Sequence, residues 1–533
     1  MRMKFGWCAA VAKFILSGSQ GRKTMKTLAS SLFAIIALLA TNALADLKLP
    51  AVFCDHMVFQ RDAAVPVWGW AEPSEEVIVT FAGQTKTAKA GTDGKWMVKF
   101  DPMPASTEPR TLAVKSQISN LKSEITDVLV GEVWLGSGQS NMAMTVNRAR
   151  DFEQEKAAAN LPRIRMFKEE STAANTPQTI GKGQWAVCSS ETVSGFSATL
   201  YFFGREVHRK LNVPVGLINS SVGGTPIESW IDADAQRRTP ELKAFFEAQT
   251  KTAKEFDPVA AKANYEKQLA HWKQAAKEAK AADKTPPRAP RDPVATRARK
   301  GNAGGLFNGK IEPLIPYAIR GVVWYQGEAN SQPNKAQFYQ YHLQLLVKEW
   351  RARWGYEFPF AWVQLPNFTR PGEYWMLVRE AMLKSLAVPN TGMAIAIDIG
   401  DPKNIHPQNK QEVGRRLSLW ALGTVYNQKL AATSGPLPAG HEIRGSEVEL
   451  NFKHTNGGLV AKGGGELKGF QIVGADKAWK PAQAKIAGDK VIVSSPDVKQ
   501  PVAVRYAWEP NPDCNLCNGA GLPASPFRTD DWQ

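Results

Sequence analysis

The stretch VLVGEVWLGSGQSNM, residues 128–142, decides how this chain reads. Its first half, VLVGEVWL, is an apolar run of the kind that forms a strand covered on both faces. Its second half is a tight loop in which Gly136 and Gly138 precede Ser140. A serine placed there can hold its hydroxyl off the end of a buried strand. The glycines have no Cβ, so a backbone N–H can approach a reacting carbonyl oxygen. Alone, such a loop is an ordinary turn, and the reading depends on what the rest of the chain brings to it.

Downstream, further apolar runs alternate with helical patterns. The runs are PVGLIN, GVVWYQ, FAWVQL and MAIAID. Between them lie GFSATLYFFGREVHRKL, KAQFYQYHLQLLVKEWRARW, WMLVREAMLKSLA and KQEVGRRLSLWALGTVY, each with apolar residues three and four apart. This alternation predicts a parallel sheet with helices on both faces. In open α/β sheets, ligands bind at the carboxyl ends of the strands. Four loops lie there. They are GSGQSNM with Ser140, SSVGGTPIESW with Gly223 and Gly224, QGEAN with Gln326 and Glu328, and IGDPKNIHPQNK with His406. All four are expected to open on one edge of the sheet.

A serine, paired glycines, an amide and a histidine are the parts of an acyl-transfer site. His406 can take the serine proton near neutral pH. The N–H of Ser140, a glycine N–H at 223 or 224 and the side-chain amide of Gln326 can serve as oxyanion donors. Losing one such donor costs about 10²–10³ in turnover. No G-x-S-x-G elbow surrounds Ser140, because Met142 stands where its second glycine belongs. His208, His271, His342, His441 and His454 fall in helical, inserted or C-terminal β segments. His56 falls in the first β region.

The flanks are different. Residues 46–127 read as a small β-sandwich, with short runs PVWGW, VIVTFAG, KWMVKF and TLAVKS separated by turn-rich segments. Residues 429–533 return to β, with EVELNF, LKGFQIVG, KVIVSS and VAVRYAW as strands. The α/β core is expected at 128–428, interrupted by a helical insertion at about 237–300. Within it, residues 240–284 read as a helical hairpin and TPPRAPRDP as a stiff linker. The chain's formal charge of +16 gathers largely in this insertion. It reads as a solvated helical face, with no nucleic-acid-binding module beside it.

Residues 1–45 form a targeting region. From Met25, MKTLASSLFAIIALLATNALA supplies a positive start, a short apolar stretch and the Ala43-Leu44-Ala45 cleavage pattern. Met25 is the expected true start and Asp46 the first mature residue, which makes the protein secreted or periplasmic. The apolar stretch is too short for a stable membrane span. Cys514 and Cys517 are spaced C-x-x-C in a turn-rich stretch, which suits a local disulfide or two plain thiols. No second such pair completes a zinc site.

The strings WLGSGQSNM, INSSVGGTPIESW, LFNGKIEPLIPYAIRGVVWYQGEAN and DIGDPKNIHPQNKQEVGRRL, in this order, resemble the SGNH hydrolase superfamily. Within it they are similar to the sialate O-acetylesterase-like carbohydrate esterases. FCDHMVFQR and GLPASPFRTDDW extend the likeness to both ends of the mature chain. The resemblance implies a flavodoxin-like three-layer α/β/α core that removes acetyl esters from sugars without metal or cofactor. It implies Ser140 as nucleophile and His406 as general base, with Gly223 or Gly224 and Gln326 completing the oxyanion hole.

One departure stands out. Many SGNH enzymes carry an Asp three residues before the histidine, and here that position is Lys403. The acid that orients His406 is then Asp398, Asp401 or a residue of another loop such as Glu328. Otherwise Ser140 and His406 act as a dyad, with a backbone carbonyl or the Asn404 amide oxygen holding the ring. Glu328 is expected to brace Gln326 or its loop, with binding of sugar hydroxyls as the second reading. O-acetylated sialic acid is the first substrate to test, and acetylated xylan or another polysaccharide the close rival. Two alternatives of other classes are a non-catalytic carbohydrate-binding protein on a hydrolase core and a metallohydrolase using DIGDPKNIH. Oligomeric state is not legible.

Overall fold

Seven strands make the central sheet: β1 (Lys122–Gly138), β2 (Leu161–Glu169), β3 (Gly183–Cys188), β4 (Val215–Ser221), β5 (Gly321–Tyr325), β6 (Phe360–Val363) and β7 (Thr391–Ala394). In this computed structural model, which describes residues 47–116, 122–300, 302–370 and 372–532, they lie in the order β7-β6-β5-β1-β4-β2-β3. The targeting region expected at 1–45 lies outside the described residues. Five neighbouring pairs are parallel, and only β2 and β3 run antiparallel. The sheet is therefore mixed at one edge, where β2 and β3 are strands that the apolar runs did not announce.

The helices are α1 (Ala198–Leu211), α2 (Lys243–Glu255), α3 (Pro258–Ala281), α4 (Tyr339–Trp354), α5 (Tyr374–Lys384) and α6 (Lys410–Trp420), besides shorter turns. Side chains alternate across each strand, and the two sets enter different cores. Val133, Leu135, Trp324 and Trp362 pack with Leu346 and Trp350 of α4 and Val378 of α5. Trp134, Val323, Tyr325 and Val363 pack with Leu200 and Phe203 of α1 and Leu417 of α6. Both faces of these strands are covered, which is why their sequences are apolar almost throughout.

Strand β1 runs through the expected junction at residue 127. Its first half pairs antiparallel with Ser106–Ser116, and Leu129–Gly131 pair in parallel with Val58–Gln60. Its second half is the central core strand. At the crossing, fully buried Glu132 takes Arg61 at 2.5 Å, Arg320 at 2.8 Å, Tyr426 Oη–H at 2.9 Å and the Gln60 amide at 3.2 Å. Beyond the core, two four-stranded antiparallel sheets share one apolar centre that includes Val448, Val491, Ile472 and Tyr506.

In the insertion, α2 lays Phe245 against Phe338 and His342. The expected hairpin has a different second arm. Helix α3 is backed by the returning linker, with Trp272 Nε1–H on the Pro287 carbonyl at 2.7 Å and Lys262 on Asp292 at 2.5 Å. No residue of α3 is buried, consistent with its Lys- and Ala-rich sequence.

Candidate active site

Strand β1 ends at Gly138, whose φ is +133°. An added Cβ there would stand 2.2 Å from the Tyr325 carbonyl oxygen, so glycine is required for β1 and β5 to finish this close together. The Gln139 N–H then donates to the same carbonyl at 2.9 Å. Ser140 opens the short helix Ser140–Ala143. Its Oγ lies 2.8 Å from His406 Nε2, across 266 positions of sequence. Gly223 borders the serine, since a Cβ there would come within 3.4 Å of Ser140 Cβ. Gly224 follows in the left-handed region at φ +71°. Among the described residues, the N–H groups of Ser140, Gly223 and Gly224 have no hydrogen-bond acceptor in the protein.

The histidine loop is shaped by its own polar side chains, as Asx turns are. Asp401 Oδ1 accepts from the N–H groups of Lys403 (2.8 Å) and Asn404 (3.1 Å). Asn404 Oδ1 accepts from the N–H of His406 at 3.0 Å. Asn404 thus holds the backbone of residue 406, not its ring.

Neither expected aspartate reaches the imidazole. Asp398 is drawn away by Arg416, with contacts of 2.6 and 3.0 Å, and by Lys462 at 3.1 Å. These cations hold its carboxyl below the usual range although burial acts the other way. Asp401 is occupied by its turn. Among the described residues, no carboxylate lies within 4.0 Å of a ring nitrogen of His406. Gln326 also departs from expectation. It is fully buried, and its amide nitrogen faces Asn330 Oδ1 (2.7 Å), Gln139 Oε1 (3.2 Å) and the Thr225 carbonyl (3.2 Å). An amide has two hydrogens, and these acceptors engage both. Its side chain ties three site loops together and is not turned toward a reacting oxygen.

Glu328 lies beneath the serine. Its Oε1 accepts from Asn141 Nδ2 at 2.5 Å, while Oε2 is buried without a partner. Burial raises its pKa. Asn141 Nδ2 also donates to the Ile405 carbonyl at 3.0 Å, and its Oδ1 accepts from Lys410 Nζ at 2.7 Å. Lys410 is buried, and desolvation lowers its pKa to about 7. Sequence reading missed both Asn141 and Lys410. A signal existed for the second, because a lysine in the first turn of a helix opposes the helix dipole. A side chain that breaks a local rule often belongs to a site.

His406 is half-buried, and desolvation is the main force lowering its pKa. The positive charges of Arg148, Lys410 and Arg288 act in the same direction. Arg288 belongs to the linker TPPRAPRDP, so the insertion comes within electrostatic reach of the site. Among the described residues, no three His, Cys, Asp or Glu side chains converge as metal ligands. Cys514 and Cys517 are free thiols, without a disulfide. Among the described residues, no helix is long and apolar enough to cross a membrane.

A mostly parallel α/β sheet with a serine and a histidine in contact at its carboxyl edge is an arrangement that suits a hydrolase, and the chain's relatives make it an ester hydrolase. The sequence profile of the family described as carbohydrate esterase, sialic acid-specific acetylesterase, matches residues 130–281 and 308–421. Sialate O-acetylesterase of Mus musculus is 29% identical, over 92% of this chain and 96% of that protein. The Homo sapiens counterpart is 28% identical, over 89% of this chain and 90% of that protein. A crystal structure described as a novel carbohydrate acetylesterase from Xanthomonas citri is 36% identical with a TM-score of 0.77, covering 91% of this chain and all (100%) of that one. The chain belongs to the sialic acid-specific acetylesterase family of carbohydrate esterases.

Proposed function

We propose that this protein is an exported, serine-dependent carbohydrate O-acetylesterase, with Ser140 as nucleophile and His406 as general base. Its core is read as the flavodoxin-like three-layer hydrolase, flanked by β domains at 46–127 and 429–533. The 2.8 Å contact between Ser140 Oγ and His406 Nε2 carries the assignment. His406 Nε2 takes the hydroxyl proton as Oγ attacks the acetyl carbonyl carbon. The carbonyl oxygen becomes an oxyanion, and the unengaged N–H groups of Ser140 and Gly223 are the donors nearest to receive it. The imidazolium then gives its proton to the sugar oxygen, which leaves as the alcohol. In the second half, His406 takes a proton from water, hydroxide oxygen attacks the acetyl-serine, and acetate departs with Oγ re-protonated. A base must start neutral, and burial together with three cations favours the neutral imidazole.

O-acetylated sialic acid is the leading substrate. The sialate O-acetylesterases match nearly the whole chain, and Arg148 and Arg288 beside His406 suit an anionic sugar. A polysaccharide ester is the second reading, favoured by the higher identity to the Xanthomonas citri carbohydrate acetylesterase. Export rests on the Met25–Ala45 segment, with its lysine, apolar stretch and cleavage pattern.

Acetate release from acetylated sialic acid and from acetylated xylan, measured side by side for wild type and Ser140→Ala, tests the proposal. Release that vanishes in the variant supports the serine mechanism and identifies the sugar. Unchanged release by Ser140→Ala overturns the nucleophile. No release from either sugar or from p-nitrophenyl acetate favours a carbohydrate-binding protein instead.

A further inference from the structure

The pairing of Ser140 with His406 raises a question of geometry. In Ser-His-Asp triads the acid fixes the imidazole's tautomer and orientation. Here the candidate aspartates are engaged elsewhere, yet the ring sits at hydrogen-bond distance from the serine. The backbone on both sides of that ring is anchored. The carbonyl of Ile405 accepts from Asn141 Nδ2 at 3.0 Å, and that of Pro407 accepts from Lys410 Nζ at 2.8 Å. Asn141 is itself the residue after Ser140.

We propose that Asn141, Lys410 and Glu328 are positioning residues that hold Ser140 and His406 in register, in place of an acid bound to the imidazole. Three loops meet at one amide. Asn141 comes from the serine loop, Glu328 from the loop after β5, and Lys410 from the first turn of α6. All three side chains are buried. Asn141 uses both N–H groups and its oxygen here, toward Glu328 Oε1, the Ile405 carbonyl and Lys410 Nζ. An asparagine fits this point because it must donate to an acid and accept from an ammonium at once. Lys410 also stands over the Tyr325 ring, 5.3 Å from its centroid. Because these side chains are buried, each bond is electrostatically stronger than it would be in water. A misplacement of about 1 Å in a reacting pair can cost 10²-fold in rate.

This inference rests on the Ser140–His406 reading, and its test separates the two. Steady-state kinetics on p-nitrophenyl acetate would compare wild type with Ser140→Ala, Lys410→Met, Asn141→Asp and the pair Asn141→Asp with Glu328→Gln. In Asn141→Asp a carboxylate faces the Glu328 carboxylate and the bond between them is lost. In the pair, the amide introduced by Glu328→Gln can donate to the new carboxylate and Lys410 keeps its acceptor, but the Ile405 carbonyl still lacks its donor. The expected result is a kcat at least 30-fold lower for Lys410→Met, for Asn141→Asp and for the pair, with KM within threefold. Lys410→Met should also move the acid limb of kcat/KM upward, because a cation that opposes His406 protonation is gone. Arg148 and Arg288 remain as the other cations acting on the ring, and Glu328, Arg148 and Tyr325 are the charged or titratable groups facing Lys410. A folded Lys410→Met with kcat within threefold of wild type overturns the proposal while an inactive Ser140→Ala leaves the nucleophile standing. If Lys410→Met does not fold, a folded pair with kcat within threefold of wild type overturns it, because the bond to the Ile405 carbonyl would then be dispensable. Full activity in Ser140→Ala would sink the underlying reading instead.

Discussion

Arg416 grips Asp398 through two guanidinium nitrogens, 2.6 and 3.0 Å from its two carboxylate oxygens. Lys462, from the C-terminal β region, adds a third bond at 3.1 Å. Asp398 thereby joins α6 of the core to Lys462 of the C-terminal β region. Replacing it with Asn should lower kcat by less than tenfold, whereas removing a triad acid costs about 10⁴. Arg416 keeps Glu412 at 2.8 Å and the Ile395 carbonyl at 2.6 Å, so loss of the Asp398 charge should lower unfolding free energy by only about 1 kcal/mol. Urea titration and initial rates on one preparation would check both. A 10⁴-fold loss in a stable variant would restore Asp398 to the catalytic set.

The pH profile should carry the signature of crowded cations. His406 is held below its ordinary value by burial first and then by Arg148, Lys410 and Arg288. Its neutral, base-competent form therefore persists to lower pH, and the acid limb of kcat/KM should fall below the ordinary histidine range. Taking away a cation makes the imidazolium easier to form. Arg288→Met and Arg148→Met should each move that limb to higher pH, and activity on the acid side should drop. A limb unmoved by Arg288→Met would show that the insertion does not act on the site.

Gly138→Ala should damage catalysis more than stability. The new methyl meets the Tyr325 carbonyl at 2.2 Å, and the backbone at φ +133° resists a side chain. The serine loop must shift, and a displacement near 1 Å is worth about 10² in kcat. Single-turnover rates with p-nitrophenyl acetate would report the loss, and near-wild-type rates would refute it.

Glu132 offers the complementary case, a residue for stability alone. It is fully buried and bound by Arg61, Arg320, Gln60 and Tyr426. Glu132→Ala leaves two arginines without their anion, and should cost about 3 kcal/mol in urea unfolding. Turnover per folded molecule at low temperature should remain within twofold of wild type.

Chelation should leave activity intact. Among the described residues no trio of His, Cys, Asp or Glu converges on one point, and the proposed steps use only Ser140, His406 and backbone donors. Overnight treatment with EDTA, followed by acetate-release assays, checks this. Activity lost to EDTA and restored by zinc would favour the metallohydrolase reading.

Much of the architecture could be read from local pattern. VLVGEVWL, PVGLIN, GVVWYQ and FAWVQL are strands because alternate residues face two different apolar layers. The loops after β1, β4 and β7 carry Ser140, Gly223 and His406 to one edge because parallel strands end on the same side. Strands Leu161–Glu169 and Gly183–Cys188 are not expected from the sequence because LPRIRMFKE and GQWAVC mix polar with apolar residues.

By itself the sequence determined the mixed α/β class of the core and pointed to Ser140 and His406, which the fold brings to 2.8 Å. Periodicity, glycine placement and residue type are local properties, and they survive without coordinates. Only the tertiary structure decided where the polar side chains point. Asp398 turned to Arg416 and Lys462, Gln326 turned inward to brace its neighbours, and Asn141 and Lys410 closed around the carbonyls flanking His406. Arg288 came within reach of His406 from a linker more than a hundred residues upstream. A buried charge takes the partner that packing brings to it. That choice depends on contacts between distant segments, which no local pattern encodes.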